Sequence, residues 1–77
     1  MKVIELKLKR MQLNLTQTKL SKEIGMSCRA YNLKENGKMK FSIEDMRKLI
    51  VALDLSFDEV NSIFLDNILP KGNKIGG

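Results

Sequence analysis

Thr16-Gln17-Thr18-Lys19-Leu20-Ser21-Lys22-Glu23-Ile24-Gly25-Met26-Ser27-Cys28-Arg29-Ala30-Tyr31-Asn32-Leu33-Lys34-Glu35-Asn36-Gly37 is the stretch that decides the fold. Two helix-start residues, Thr16 and Ser27, stand on either side of one helix-stop residue, Gly25. A threonine or serine hydroxyl satisfies the unpaired N–H groups of a helical first turn. Glycine enters the left-handed region without a Cβ penalty and so ends a helix cheaply. The spacing therefore predicts a helix over 17–24, a tight turn at Gly25, and a second helix from Ser27 to about Glu35, closed by Asn36-Gly37. Leu20 and Ile24, four apart, form the inward pair of the first. Short helix, glycine turn and short helix make the outline of a helix-turn-helix.

Working outward, residues 3–13 carry two periods at once. Ile4, Leu6 and Leu8 alternate with Glu5, Lys7 and Lys9, as in a strand, while Ile4, Leu8, Met11 and Leu15 fall at helical spacing. No Gly/Asn turn follows to make a hairpin, and Leu, Lys, Met and Gln are good helix formers, so a helix is expected. Downstream, Ser42-Ile43-Glu44-Asp45 places a hydroxyl at the N-cap and two acids in the first turn. Ile43, Met46, Leu49, Ile50 and Leu53 follow at intervals of three and four, an amphipathic helix. Ser56-Phe57-Asp58-Glu59 is a capping box for a fifth helix with Val60, Ile63, Phe64 and Leu65 on its buried side. The pattern decays after Asp66. The fold class read from this is all-α, a compact five-helix domain over residues 1–66, followed by a frayed tail over 67–77.

Seventy-seven residues with 43% apolar side chains support one small folded domain. A single cysteine, Cys28, and no histidine exclude an internal disulfide and a structural zinc site. Charges at Glu5, Lys7, Lys9 and Arg10 interrupt the N-terminus, and the longest apolar run, residues 49–53, is far too short to span a bilayer. No membrane partner, metal, cofactor or small-molecule ligand is expected, and the location expected is cytoplasmic. An enzyme is not expected either: no histidine, glycine-rich phosphate loop or paired carboxylates assemble a catalytic set.

Charge is uneven along the chain. Residues 1–40 hold a net +7 and residues 41–77 a net −2, within a total of +5. Basicity alone is equally compatible with a solvated lysine-rich surface, but here the basic half also contains the helix-turn-helix. In DNA-binding proteins that motif lays its second helix into the major groove.

The residues resemble a known family, the lambda-repressor/Cro-like helix-turn-helix regulators of the xenobiotic response element type. The resemblance runs through Leu15-Thr16-Gln17, Leu20-Ser21, Ile24-Gly25-Met26-Ser27 and Lys34-Glu35-Asn36-Gly37-Lys38. It continues into Phe41-Ser42, the apolar helix, and Leu55-Ser56-Phe57-Asp58-Glu59. The Tyr-Asn-x-Lys-Glu-Asn-Gly-Lys version, with Phe-Ser following, looks like regulators of phages and mobile elements. The sequence departs from the family in four places. Ser21 replaces the customary alanine at the helix crossing, and Tyr31 stands where a branched aliphatic is usual. Lys34 stands where an apolar residue is common, and Asn14 replaces a glycine before Leu-Thr-Gln.

The resemblance implies that Cys28, Arg29, Asn32 and Leu33 form the exposed, base-reading face of the second motif helix. Arginine can bond guanine O6 and N7 together, and asparagine can pair with adenine N6 and N7. Periodicity alone puts Leu33 in line with Met26 and Ala30 and would make it core; the family register turns it outward, towards a thymine methyl. Cys28 is read as a small residue fitting the groove rather than a redox sensor. Phosphate contacts are expected from Thr16, Gln17 and Ser27 at the helix starts, and from Asn36, Lys38 and Lys40 beyond the second helix.

One such helix reads few base pairs, and family members act as two-fold dimers on pseudo-palindromic operators with half-sites roughly 34 Å apart. The candidate self-contact is the last helix and its extension, Val60, Ile63, Phe64, Leu65 and Ile68, which core burial would explain equally well. The function expected is sequence-specific binding of double-stranded DNA by a small Cro-like repressor. The alternative is a protein-interaction module, such as an antirepressor or antitoxin, on the same fold.

Overall fold

The computed structural model describes residues 1–66. Five helices follow in order: α1 (Val3–Gln12), α2 (Gln17–Glu23), α3 (Cys28–Glu35), α4 (Ile43–Ala52) and α5 (Phe57–Phe64). The fold is all-α, as the periodicity predicts.

The start signals act locally. The Thr16 hydroxyl accepts from the Lys19 N–H at 3.0 Å and Ser27 from the Ala30 N–H at 3.1 Å. Ser42 with Asp45, and Ser56 with Glu59, form reciprocal capping boxes. Four helices stop by one device. After α2, the Gly25 N–H bonds the Lys22 carbonyl and the Met26 N–H bonds that of Ser21; the same pair of bonds closes α1 at Asn14, α3 at Gly37 and α4 at Asp54. The pivot of each turn has positive φ: 57° at Asn14, 69° at Gly25, 77° at Gly37 and 50° at Asp54. Asparagine and aspartate tolerate this region because their short polar side chains bond locally. Asn14 therefore makes the same turn as Gly25 without a glycine.

Leu6, Leu20, Ile24, Tyr31, Phe41, Leu49, Leu53, Leu55, Ile63 and Phe64 form one core. The Tyr31 and Phe41 rings pack at a centroid distance of 5.9 Å and 60° tilt, a geometry favourable to aromatic quadrupoles. Ser21 is buried, and its hydroxyl donates to the Thr18 carbonyl at 2.8 Å, which satisfies it within its own helix where α2 meets α3. Lys34 pairs with Asp45 at 2.6 Å and so ties α3 to α4. Burial raises the Asp45 carboxyl, but the bonds from Lys34 and Ser42 outweigh it and hold it below the ordinary carboxylate range.

Three expectations are corrected. In α1 the helical row Ile4, Leu8 and Met11 is more than half exposed, and the inward row is Leu6 and Arg10. Arg10 can face inward because a buried carboxylate receives it. Ile43, in the first turn of α4, faces out, and only the later members of its stripe pack inward. The third concerns α5. Ile63 and Phe64 belong to the core and have no surface to offer a second copy, whereas Val60 and Leu65 are half-buried against it. Ile68 and the tail 67–77 lie outside the described residues.

Candidate nucleic-acid interface

Helix α3 divides cleanly between its two sides. Tyr31 and Glu35, four apart, face inward and are buried. Cys28, Arg29 and Asn32 are exposed, and Leu33 is half-buried and lies outside the core cluster. Of the two orientations open to Leu33, the core position read from its alignment with Met26 and Ala30 is not adopted. Cys28 contacts Thr18 of the preceding helix, Sγ to Oγ1 at 3.4 Å.

Beneath this outer face lies a polar network that joins three helices. Glu35 Oε2 accepts from Arg10 Nε at 2.9 Å and from the Tyr31 hydroxyl at 2.6 Å; Oε1 accepts from Arg10 Nη2 at 3.1 Å and from Gln17 Nε2 at 2.8 Å. Arg10 Nη1 also donates to the Leu15 carbonyl at 2.6 Å, just before α2. Burial pulls the Glu35 carboxyl upward, but its bonds from Arg10, Tyr31 and Gln17 outweigh this and hold it below the ordinary range. The Arg10 guanidinium is pushed up, first by its bond to Glu35. The Tyr31 hydroxyl is pushed far up, by burial first and by Glu35 second. At neutral pH the trio is therefore a carboxylate, a guanidinium and a neutral phenol. Gln17 continues the network to the surface, where its Oε1 accepts from Asn32 Nδ2 at 3.0 Å.

The expected phosphate contacts surround α3 in the chain. Thr16 and Ser27 use their hydroxyl oxygens as caps, which leaves each O–H proton free to donate. Gln17 is half-buried, and Asn36, Lys38 and Lys40 are exposed beyond the end of α3. Ion pairs sort the positive charge. Lys9 pairs with Glu59, Arg10 with Glu35 and Lys34 with Asp45, so these cations are spent inside the domain. Among the described residues Lys19, Lys22, Arg29, Lys38 and Lys40 enter no ion pair and are exposed, as are Lys7 on α1 and Lys48 on α4. Glu23 is the one exposed acid on α2 and α3.

Residue-by-residue reading of the sequence missed Arg10 and Glu35 as parts of the site. A signal was present: Tyr31 and Glu35 share a stripe of α3, and Arg10 shares one with Leu6 in α1.

Comparison with curated proteins and with solved structures finds no match. No helix among the described residues is long and apolar enough to cross a membrane. A helix-turn-helix family model matches residues 6–60, from the first core residue of α1 into α5. With this span, five helices and the capped turn between α2 and α3, the chain belongs to the lambda-repressor/Cro-like helix-turn-helix family, a family of DNA-binding regulators.

Proposed function

We propose that the protein is a sequence-specific regulator of transcription, a small Cro-like repressor of phage or integrated-element type that inserts α3 into the major groove of a pseudo-palindromic operator. The observation that carries this reading is the outer face of α3. It presents Arg29 and Asn32 to solvent, with unpaired Lys19, Lys22, Lys38 and Lys40 on the flanking segments. Arg29 and Asn32 read base edges, Cys28 and Leu33 make the apolar contacts, and Thr16, Gln17, Ser27, Asn36, Lys38 and Lys40 hold phosphates. Two copies act together on DNA. The contact is reduced to the half-buried Val60 and Leu65, with the exposed Phe57 three residues before Val60 adding apolar rim.

Selection of bound duplexes from a random pool tests the reading; an inverted repeat is the expected product. Arg29→Ala should then relax preference at one position of each half-site, at about 1–3 kcal/mol. Unchanged discrimination removes Arg29 from the readers. The protein-interaction alternative draws on the exposed row Ile4, Leu8 and Met11 of α1. An interaction module would hold every duplex weakly and equally at physiological salt, which the same selection would reveal as no enrichment.

A further inference from the structure

The buried carboxylate at Glu35 is chemically one-sided. An ionised carboxylate accepts hydrogen bonds and donates none, and its two oxygens here receive four donors, from Arg10, Tyr31 and Gln17. The Gln17 amide can meet it only through Nε2. Because the amide is planar and polar, Oε1 then points away from Glu35, and that oxygen meets Asn32. Asn32 in turn can answer an oxygen only with Nδ2; the flipped amide would set two acceptors against each other. The polarity of a surface side chain is thus set by a charge that is itself buried.

We infer that Glu35 is a positioning residue for base recognition, acting through Gln17 to hold the Asn32 amide in the one orientation suited to adenine. Gln17 occupies one of the two Nδ2 hydrogens. Oδ1 and the other hydrogen remain, and together they match the N6 donor and N7 acceptor of an adenine edge. Asn32 arrives with this choice already made, so the ordering of its amide does not have to be supplied by binding. Gln17 then has two roles, a phosphate contact and the middle link of the relay. The inference rests on the DNA-binding reading of α3, but its first half, the relay itself, belongs to the free protein and can be measured there.

Gln17→Met breaks the relay between two groups and leaves the Arg10, Tyr31 and Glu35 contacts in place. In the free protein, side-chain amide NMR should show slowed exchange of the Asn32 Nδ2 protons, and Gln17→Met should return them to the rate of a solvent-exposed asparagine. On DNA, the site is taken from the random-pool selection, and Asn32→Ala identifies the step that Asn32 reads. Competition with duplexes carrying each base at each step should show Gln17→Met losing about fivefold of the adenine preference at that step, the scale of one hydrogen bond. Its affinity for all duplexes should fall together, as loss of a phosphate contact requires, while preference at the Arg29 step is kept. Glu35→Gln, checked for helicity by circular dichroism, should lose the same preference at the same step, because its amide can donate and so reverse the relay. Full adenine preference in Gln17→Met overturns the inference and leaves DNA reading intact. So does an Asn32→Ala protein with no altered step. A wild-type protein that enriches no sequence, with slowed Asn32 exchange present, overturns the DNA reading and with it the relay's purpose.

Discussion

Arg10→Met removes the partner of a carboxylate whose side chain is 1% exposed, while Arg10 itself is 9% exposed. Two of the four donors to Glu35 disappear, and the Leu15 carbonyl loses its bond from Nη1. Tyr31 and Gln17 still donate, but the negative charge has no counter-ion. Breaking one side of a buried ion pair costs about 3–5 kcal/mol. A domain of this size has a total stability of about 4–12 kcal/mol at about 0.05–0.15 kcal/mol per residue. The variant should therefore lose about a quarter of its stability or more. Arg10→Met combined with Glu35→Met removes the stranded charge as well. Apolar replacement of both partners is neutral or better in itself. The buried Tyr31 hydroxyl loses its acceptor, at about 1–3 kcal/mol, while the half-buried Gln17 amide can turn to water. The double variant should thus be more stable than the single one, by about 2 kcal/mol on these magnitudes. Urea unfolding followed by ellipticity at 222 nm, at pH 7, measures both. With a slope of about 1 kcal/mol per molar, the single variant's midpoint falls by about 3 M or its native baseline vanishes. An Arg10→Met protein within about 1 kcal/mol of wild type, a surface-pair value, or a double variant less stable than the single one, would refute a buried ion pair of this strength.

Tyr31 is the chain's one tyrosine, so tyrosinate absorbance reports it alone. Its folded-state value is raised, so above about pH 10 the unfolded chain releases a proton that the native state keeps, and stability falls as pH rises. Absorbance should appear together with loss of helicity; titration near pH 10 with helices intact would refute this. At the acid end, Glu35, Asp45 and Glu59 are all lowered, Glu59 chiefly by its bond from Lys9. Their contribution is complete above the unfolded values of about 4 and is lost as pH falls through the lower folded ones, so unfolding midpoints should hold between pH 5 and 7 and drop below about pH 4. A midpoint unchanged at pH 3 would contradict that account. Gly25→Ala meets no atom within 4 Å of the added Cβ but sits at φ 69°, so its cost should be the left-handed penalty of about 1–2 kcal/mol. Gly25→Asn should cost less, since Asn14 already holds the same turn; equal costs for the two would show that another contact governs the turn. Lys38→Ala should weaken binding to all duplexes alike and lower the salt slope by about one. A changed base preference would mean that Lys38 reads sequence.

The helices and their ends were legible in the sequence because their causes are local. Thr16, Ser27, Ser42 and Ser56 each bond a group three residues away, and the turns at Gly25 and Gly37 depend on one residue's φ. The outer residues of α3 were legible through the family resemblance, with which the i,i+4 pairs 28/32 and 29/33 agree, whereas periodicity alone would have turned Leu33 inward. The face of α1 was not legible. Ile4, Leu8 and Met11 make as good an apolar row as any in the chain, and Leu6 with Arg10 makes a worse one. What reverses the choice is Glu35, 25 residues further on, which gives a buried guanidinium its counter-ion. In the same way Ile63 and Phe64 were candidates for a dimer contact until the core closed over them. Start and stop signals act through bonds inside one turn of helix, so order along the chain is enough to read them. Which face is buried, and what a buried charge then orders at the surface, depends on partners that only the folded chain brings within 3 Å.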